Sequence, residues 1–346
     1  MFARTRAESL GRVSHQTLAE SVQSVWQLEG VRELIASQRV GGLHVWQRDS
    51  RLPGEGGFEP AITPLAEEVR KALVIAAPKQ GVNLSDNSVA PQGVVVLDVV
   101  LVEPGEWYVG WHSVQSRTER WPGGMLPVAA PENAISRAYL KMEEALKWSA
   151  IPSERGDLWV ELGCAPGGSC QALVDRGYSV LGIDPAEVEE PLASHPRFQH
   201  LRKRAAEVRR AELAEAKWLA ADLNVAPQYT LDAVEEIVTH PANSIRGLVL
   251  TLKLASWELG TPEQLRKVVE RIRSWGFRDV RLRQLVHNRR ELCLVALPSR
   301  GQRRMTRRRR SHRSAPRDSQ TTSQIESTED VRFDAPIRLV PRHHFR

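Results

Sequence analysis

The fold of this chain is decided by the stretch Asp157-Leu-Trp-Val-Glu161-Leu-Gly163-Cys-Ala165-Pro166-Gly167-Gly168-Ser169. An apolar strand runs directly into a turn rich in glycine and proline, and the residues after the turn predict a helix. Gly163 lets a backbone pass close to a ligand, while the two later glycines leave unpaired N–H groups at the start of the helix. Such a turn binds an adenosine-containing cofactor at the carboxyl end of the first strand of an α/β sheet.

The spacing of these glycines differs from the dinucleotide fingerprint. That fingerprint needs G-x-G-x-x-G, whereas the glycines here follow G-x-x-x-G-G, which disfavours an NAD-dependent oxidoreductase. A second predicted strand ends on Asp184, 21 residues after Gly163. A carboxylate there can accept hydrogen bonds from both ribose hydroxyls, so the turn and the acid together favour an adenosine ligand. An ordinary strand–turn–helix without a ligand is the alternative interpretation.

Composition limits the class of protein. A chain of 346 residues has room for two domains and a tail, and 41% hydrophobic residues are enough for real cores. No run approaches the ~18 apolar residues of a membrane helix, and the first residues lack the apolar region of a secretory signal. Cys164, Cys170 and Cys293 are too few and too irregular for a disulfide framework or a zinc site. We therefore expect a cytoplasmic protein with no membrane association and no metal.

The positive charge is concentrated in the last segment. The net charge is +6, of which residues 299–346 contribute +8 and the preceding residues −2. The run Arg303-Arg304-Met-Thr-Arg307-Arg-Arg-Arg310-Ser-His-Arg313 is dense enough to hold phosphates by counterion release. Little follows that could be buried, so residues 299–346 are predicted to be a disordered Arg-rich tail. A tail that serves only solubility is the alternative.

Residues 1–130 are predicted to form a separate α/β domain that ends in a loop rich in proline and glycine. A short strand is expected over 42–46, and apolar residues at helical spacing predict a helix over 64–76. Two apolar runs, 94–102 and 106–111, flank a Glu-Pro-Gly turn and predict a β-hairpin.

Residues 131–298 are predicted to form a second domain, in which strands and helices alternate as in a parallel sheet covered on both faces. It opens with a helix whose apolar stripe runs from Ile135 to Leu146. The predicted strands are 158–162, 179–183, 199–201, 217–220 and 247–252. The last predicted elements are an amphipathic helix over 262–275 and a hairpin of 280–286 with 292–297.

Four charged residues fall where this layout puts the catalytic edge of the sheet. Lys141 lies in the helix before the first strand, and Asp222 follows the fourth strand. Lys253 ends the fifth strand and Glu291 begins the last one. Charged residues rarely lie at the ends of such apolar strands without partners. Asp222 and Lys253 are therefore the stronger candidates for functional residues. Each residue also has a simpler interpretation, as a solvated surface group or, for Asp222, as a turn residue.

Together these residues match a known pattern. The chain resembles the FtsJ-like 2′-O-ribose RNA methyltransferases, whose signature is a Lys-Asp-Lys-Glu tetrad beside an S-adenosylmethionine site. It looks closest to the bacterial members that methylate a cytidine ribose in 23S rRNA and carry an N-terminal THUMP-type RNA-binding domain. The matching stretches are 136–145, 161–168, 221–223, 252–254 and 290–292, with 101–111, 121–124 and 284–291 for the finer match.

The resemblance implies an α/β fold, with a Rossmann-like class I S-adenosylmethionine-dependent methyltransferase sheet and a smaller N-terminal α/β domain. It implies S-adenosylmethionine as cofactor and RNA as partner, either 23S rRNA or a pre-ribosomal particle, and it needs no metal. The catalytic residues that it implies are Lys141, Asp222, Lys253 and Glu291. The cofactor-binding residues that it implies are Glu161, Gly163, Ala165, Pro166, Gly167, Gly168, Asp184 and Asp222.

The chain departs from the family pattern at two places. The family usually has an acid after the third strand that holds the adenine amino group, but here the segment reads Leu201-Arg-Lys-Arg204. Ser169 stands where many relatives have an aromatic residue, and Glu207 is a candidate replacement for the missing acid. These departures motivate an alternative function, a non-catalytic RNA-binding or ribosome-assembly protein with a methyltransferase fold. The complete tetrad argues against that alternative.

Lys253 has two candidate roles, because a ribose 2′-hydroxyl is a poor nucleophile at neutral pH. Lys253 could act as a general base if burial or the neighbouring Lys141 lowered its pKa. It could instead stay charged and stabilise a developing alkoxide. Asp222 and Glu291 would steer the two lysines and offset their charge.

Overall fold

The computed structural model describes residues 4–84, 88–103, 105–254, 256–299 and 301. Residues 302–346, nearly all of the predicted Arg-rich tail, lie outside this part of the chain. The described residues form two β-sheets, one of four strands and one of seven. No helix among them is long and apolar enough to cross a membrane.

The first sheet contains the strands β1 (Glu8–Ser14), β2 (Val40–Gln47), β3 (Val95–Glu103) and β4 (Glu106–Ser113). Its helices are α1 (Leu18–Gln27), α2 (Glu29–Ser37) and α3 (Pro64–Ile75). The strand order is β1-β4-β3-β2, with β2 parallel to β3 and the other neighbours antiparallel. The predicted hairpin, the strand at 42–46 and the helix from 64 are confirmed. Strand β1 and helices α1 and α2 were not predicted.

Alternate residues of β3 enter different environments, as the period of a strand requires. Leu97, Val99 and Leu101 are buried in the apolar core that the helices share with this sheet. Val96 lies on the other face and packs with Ala90 and Val114. Both faces of this small sheet are therefore covered.

The second sheet contains β5 (Leu158–Leu162), β6 (Ser179–Ile183), β7 (Phe198–Leu201), β8 (Trp218–Ala221), β9 (Gly247–Lys253), β10 (Asp279–Arg283) and β11 (Glu291–Leu297). Its helices are α4 (Ala138–Ser149), α5 (Gly168–Asp175), α6 (Pro227–Val238) and α7 (Pro262–Ser274). All seven strands were predicted, although β10 ends three residues before the predicted 286. Helix α6 was not predicted.

The order of the second sheet is β10-β11-β9-β8-β5-β6-β7. Strands β5 to β9 are parallel to one another, and β11 is antiparallel to both β9 and β10. Neighbouring residues of β5 enter opposite cores, Trp159 on one face and Val160 on the other, so the sheet is covered on both sides. The expected α/β class with a Rossmann-like sheet and a smaller N-terminal α/β unit is confirmed. The division between 130 and 131 and the THUMP-type character of the first unit stay predictions.

This order determines where a ligand can bind. The chain leaves β5 toward β6 and β7 on one side and returns to β8 and β9 on the other. Parallel sheets bind ligands in the crevice at such a reversal, at the carboxyl ends of the strands. The glycine-rich turn follows β5, and Asp222 follows β8, so both lie at this crevice.

Candidate active site

The four predicted catalytic residues form a closed ring of alternating charge. The Lys141 ammonium contacts the Asp222 carboxylate, and its Nζ lies 3.1 Å from Glu291 Oε1. The Lys253 Nζ lies 2.9 Å from Asp222 Oδ1 and 2.6 Å from Glu291 Oε2. Each lysine therefore bridges both acids, and each acid bridges both lysines.

Three elements of the second sheet and one helix bring these side chains together. Lys253 and Glu291 are paired across the antiparallel strands β9 and β11. Asp222 is held at the end of β8 because its backbone N–H donates to the carbonyl of Leu162 at 3.1 Å. Lys141 comes from the first turn of α4. The ring thus lies where α4 crosses the carboxyl ends of β8 and β9.

The environment of the ring favours the charged forms of Asp222 and Lys253. Burial works against the Asp222 carboxylate, but Lys141 and Lys253 outweigh it and hold the pKa of Asp222 below its usual value. Burial likewise works against the Lys253 ammonium, but Asp222 and Glu291 outweigh it and raise the pKa of Lys253 above its usual value. A general base would need a lowered pKa, so this state of Lys253 supports the charged role of the two predicted ones.

The glycine-rich turn disfavours larger residues at three positions. Gly163 has φ +77°, and a Cβ there would lie 2.9 Å from the carbonyl oxygen of Asp222. Gly167 has φ +125° and caps α5 without a side-chain hydrogen bond. A Cβ on Gly168 would lie 2.8 Å from the carbonyl oxygen of Ser136. The turn therefore passes close to its neighbours, and the helix start lacks a side-chain cap.

Asp184 is oriented by the loop that it is predicted to share with the cofactor. Its Oδ2 accepts from the backbone N–H of Ala165 at 3.2 Å and its Oδ1 from that of Ala186 at 2.9 Å. Each carboxylate oxygen has a second lone pair for a ribose hydroxyl. The carboxylate is thus held beside Pro166 and the glycines that follow it.

Glu161 has a more internal position than the other predicted cofactor residues. It is 1% exposed and accepts a hydrogen bond from the Cys170 Sγ at 3.1 Å. Burial raises the pKa of Glu161 to about 7. Its side chain is bonded to the first turn of α5, and a direct contact with the cofactor stays a prediction.

The region after β7 differs from the family pattern, as the sequence indicated. Arg202, Lys203 and Arg204 are exposed. Glu207 uses Oε2 to accept from the backbone N–H of Arg204 at 2.8 Å, so it stabilises its own short turn. Ser169 is buried at the start of α5. Glu207 as the adenine acceptor stays a prediction.

A family model places this site among known proteins. The FtsJ-like methyltransferase model matches residues 134–273, which span α4, the glycine-rich turn, Asp222 and Lys253. This range is similar to the FtsJ-like methyltransferases and is here called the FtsJ-like domain. Glu291, the fourth member of the ring, lies beyond the matched range.

Two curated relatives of this chain carry the same name. Ribosomal RNA large subunit methyltransferase M from Halorhodospira halophila is 33% identical over 184 residues, which cover 51% of this chain and 51% of that protein. The protein of the same name from Azotobacter vinelandii is 31% identical over 196 residues, covering 52% of this chain and 53% of that protein. The matched region spans about half the length of these relatives.

Solved structures are more distant. Aeropyrum pernix fibrillarin with bound S-adenosylmethionine matches with a TM-score of 0.37 and 15% identity, covering 58% of this chain and 82% of that chain. A TM-score of this size carries no argument about function.

Sequence reasoning missed several residues that support the FtsJ-like domain. Glu144 is 1% exposed, and its carboxylate accepts from the backbone N–H groups of Val286 and His287 at 2.9 and 3.1 Å. Arg137 precedes α4 and contacts Glu59 of the first unit. Helical spacing could have indicated Glu144, which stands three residues after Lys141 and shares its side of α4. No local sequence pattern indicated that Glu144 would bind the backbone of Val286 and His287.

One group of metal-ligand residue types occurs among the described residues, away from the FtsJ-like domain. His44, Asp98 and His112 are buried on one face of the first sheet. His112 Nδ1 lies 2.5 Å from Asp98 Oδ2, and its Nε2 lies 3.0 Å from the carbonyl oxygen of Glu119. These distances fit hydrogen bonds from a charged imidazole, in line with the raised pKa of His112: burial lowers it, but Asp98 outweighs burial. Burial, and then His112, lower the pKa of His44 to about 3.

Proposed function

We propose that this chain transfers a methyl group from S-adenosylmethionine to a ribose 2′-hydroxyl of RNA. The observation that carries the proposal is the closed ring of Lys141, Asp222, Lys253 and Glu291 beside the glycine-rich turn. A ring that keeps two ammonium groups in fixed positions can stabilise negative charge as it develops on an oxygen. An activated methyl donor at the neighbouring turn would meet that oxygen.

The residues at the turn fit S-adenosylmethionine. The uncapped start of α5 suits a polar ligand that lies against the main chain. Asp184, already oriented by two backbone N–H groups, would accept from the ribose hydroxyls. When bound, the cofactor supplies a methyl group on a positively charged sulfur. We assign Gly163, Ala165, Pro166, Gly167, Gly168 and Asp184 to its binding, with Glu161 as a further predicted contact.

In the proposed mechanism Lys253 acts as a cation. Its ammonium would orient the oxygen of the 2′-hydroxyl and stabilise the charge that develops on that oxygen as the hydroxyl proton passes to solvent. Asp222 and Glu291 hold Lys253 in place, and Lys141 balances their charge. The raised pKa of Lys253, which follows from Asp222 and Glu291 outweighing burial, supports this role over that of a base.

We propose 23S rRNA, alone or in a pre-ribosomal particle, as the substrate and the cytoplasm as the place of action. The name shared by the curated relatives supports an RNA of the large ribosomal subunit. The first unit would act as a THUMP-like RNA-binding domain over 1–130, followed by the methyltransferase domain over 131–298. Structured RNA is recognised largely by shape and backbone contacts, which suits a separate module and a basic tail.

Methyl transfer to unmodified 23S rRNA transcript tests the function. With methyl-labelled S-adenosylmethionine, wild-type protein should label one ribose. Lys253→Ala should be slower by about 10²–10³ while its RNA affinity stays within about twofold. Lys267→Ala is the matched control, because Lys267 is exposed on α7 and pairs only with Glu263 among the ion pairs of the described residues.

Three results would separate the alternatives. Full activity in Lys253→Ala would remove Lys253 from catalysis. Absence of both methyl transfer and cofactor binding in calorimetry, for the wild type, would favour the non-catalytic RNA-binding protein. Cofactor binding without transfer to the transcript, followed by transfer to pre-ribosomal particles, would identify an assembly intermediate as the substrate.

A further inference from the structure

The first unit reaches the second sheet through Glu59. The guanidinium of Arg137 forms a two-pronged ion pair with the Glu59 carboxylate, in which Nη2 lies 3.2 Å from Oε2. The same Oε2 lies 2.8 Å from His287 Nδ1. Two residues of the second unit, 150 positions apart, thus meet at one carboxylate of the first. Bidentate contacts of this kind fix orientation as well as distance.

The segment 284–290, which joins β10 to β11 and is here called the β10–β11 loop, is held from two sides. On the side of the first unit, Arg289 Nε donates to the carbonyl of Pro53 at 2.5 Å. On the side of α4, the buried Glu144 carboxylate accepts from the N–H groups of Val286 and His287. Arg137 Nη2 closes the arrangement by donating to the carbonyl of His287 at 3.1 Å.

The backbone of the first unit is shaped for this contact. Gly54 has φ +77°, and a Cβ there would lie 2.6 Å from Cζ of Arg137. Only glycine lets the loop before Glu59 come so close to the guanidinium. Trp46 of β2 also packs against Val286, so an apolar contact accompanies the polar one.

Both partners of Glu59 lead directly to the charged ring. The carbonyl of Arg137 accepts from the backbone N–H of Lys141 at 3.3 Å, in the first turn of α4. The β10–β11 loop runs straight into Glu291, whose carbonyl accepts from the Asn288 side chain at 3.3 Å. Lys141 and Glu291 therefore come from the two segments that Glu59 joins.

We propose that Glu59 is a positioning residue, through which the first unit sets Lys141 and Glu291 relative to each other. This inference rests on the proposed function, and it makes the ring dependent on docking of the N-terminal unit. Glu59 touches neither the ring nor the glycine-rich turn among the described contacts, so it acts through Arg137 and His287. Its loss should slow the chemical step and leave binding of RNA and cofactor intact.

The test compares Glu59→Gln with Glu103→Gln. Glu103 lies in the same unit and pairs with Arg48 at 3.0 Å, so its variant removes an equal charge from a different ion pair of that unit. Single-turnover methyl transfer at saturating 23S rRNA should slow about tenfold in Glu59→Gln and less than about twofold in Glu103→Gln. The dissociation constants for RNA and S-adenosylmethionine should match the wild type in both variants.

A coupling measurement and a second readout complete the test. Arg137→Gln should slow the reaction similarly, and the double variant with Glu59→Gln should lose less than the product of the two single losses. Amide hydrogen exchange over 284–291 should be faster in Glu59→Gln than in Glu103→Gln, because the substitution weakens the contact between His287 and residue 59. The exchange rate is a readout that does not depend on methyl transfer, so it can be measured even in an inactive protein.

Two outcomes would overturn the inference. One is a rate in Glu59→Gln equal to that of Glu103→Gln. The other is a loss of RNA affinity with an unchanged rate at saturation, which would make Glu59 an RNA-binding residue. If the wild type transfers no methyl group at all, the proposed function fails, and unchanged exchange over 284–291 would then overturn the positioning role separately.

Discussion

Lys253 and Glu291 are direct cross-strand partners, with Lys253 Nζ 2.6 Å from Glu291 Oε2. The register of β9 and β11 therefore builds half of the charged ring. A slip of one residue would turn one of the two side chains to the opposite face of the sheet. The pairing also determines the charge of Lys253, because Glu291 and Asp222 together outweigh the burial of its ammonium.

The charged state of Lys253 predicts a flat dependence of rate on pH. The pKa of Lys253 is raised above its usual value of 10.5, so its proton is lost only at still higher pH. Single-turnover rates should then be nearly constant from about pH 7 to pH 9. A rate that rises about tenfold per pH unit and levels off within this range would contradict the prediction and indicate that Lys253 acts as a general base.

Gly163→Ala and Gly156→Ala separate backbone strain from loss of space. Both glycines have positive φ, +77° and +84°, so alanine costs about 1–2 kcal/mol at either position. Only at Gly163 would the new Cβ press on the Asp222 backbone, which adds about 1–3 kcal/mol. Urea unfolding should rank Gly163→Ala as the less stable variant. Calorimetry should find weaker S-adenosylmethionine binding in that variant alone, and equal binding in both would contradict the assigned turn.

His44 predicts a loss of stability in acid. Its pKa is about 3 in the folded protein, against 6.5 for the free side chain, because burial and then His112 disfavour the charged ring. The folded protein loses no stability through His44 above pH 6.5, where the side chain is neutral in both states. Stability is lost as the pH falls from 6.5 toward 3, because only the unfolded chain takes up the proton in this range. About 2 kcal/mol of the free energy of unfolding should disappear between pH 7 and pH 5 through this residue. Urea unfolding should show that the free energy of unfolding of His44→Gln changes by about 2 kcal/mol less than that of the wild type between pH 7 and pH 5. An equal change in both proteins would contradict the lowered pKa of His44.

The Arg-rich tail predicts a change in salt dependence. Deleting residues 301–346 removes most of the 13 arginines of the segment 299–346. RNA binding should weaken, and the logarithm of the affinity should fall less steeply with the logarithm of salt, because fewer counterions are released. Deleting 319–331, which contains no arginine, is the control and should leave the slope unchanged. An unchanged slope after the larger deletion would make the tail a bystander.

The local sequence pattern was sufficient to predict strands where apolar runs end at turn residues. Strands β5 and β6 were predicted to the residue, since each is a short buried run bounded by polar or glycine positions. Strand β1 was missed because only Val13 of its seven residues is buried and the alternation is weak. Strand β10 ends early for a nonlocal reason: the N–H groups of Val286 and His287 bond to Glu144, more than 140 positions away.

The sequence by itself determined the alternation of strands and helices, the position of the glycine-rich turn, and the four charged residues at strand ends or in the helix before them. These features follow from side-chain period, turn chemistry and the cost of leaving a charge unpaired, all of which are local. Only the tertiary structure decided that the four charges alternate in a closed ring, that Asp222 and Glu291 raise the pKa of Lys253, and that Glu59 contacts Arg137 and His287. Those outcomes depend on strand register and on the docking of one sheet against another, which bring together atoms that the chain separates widely.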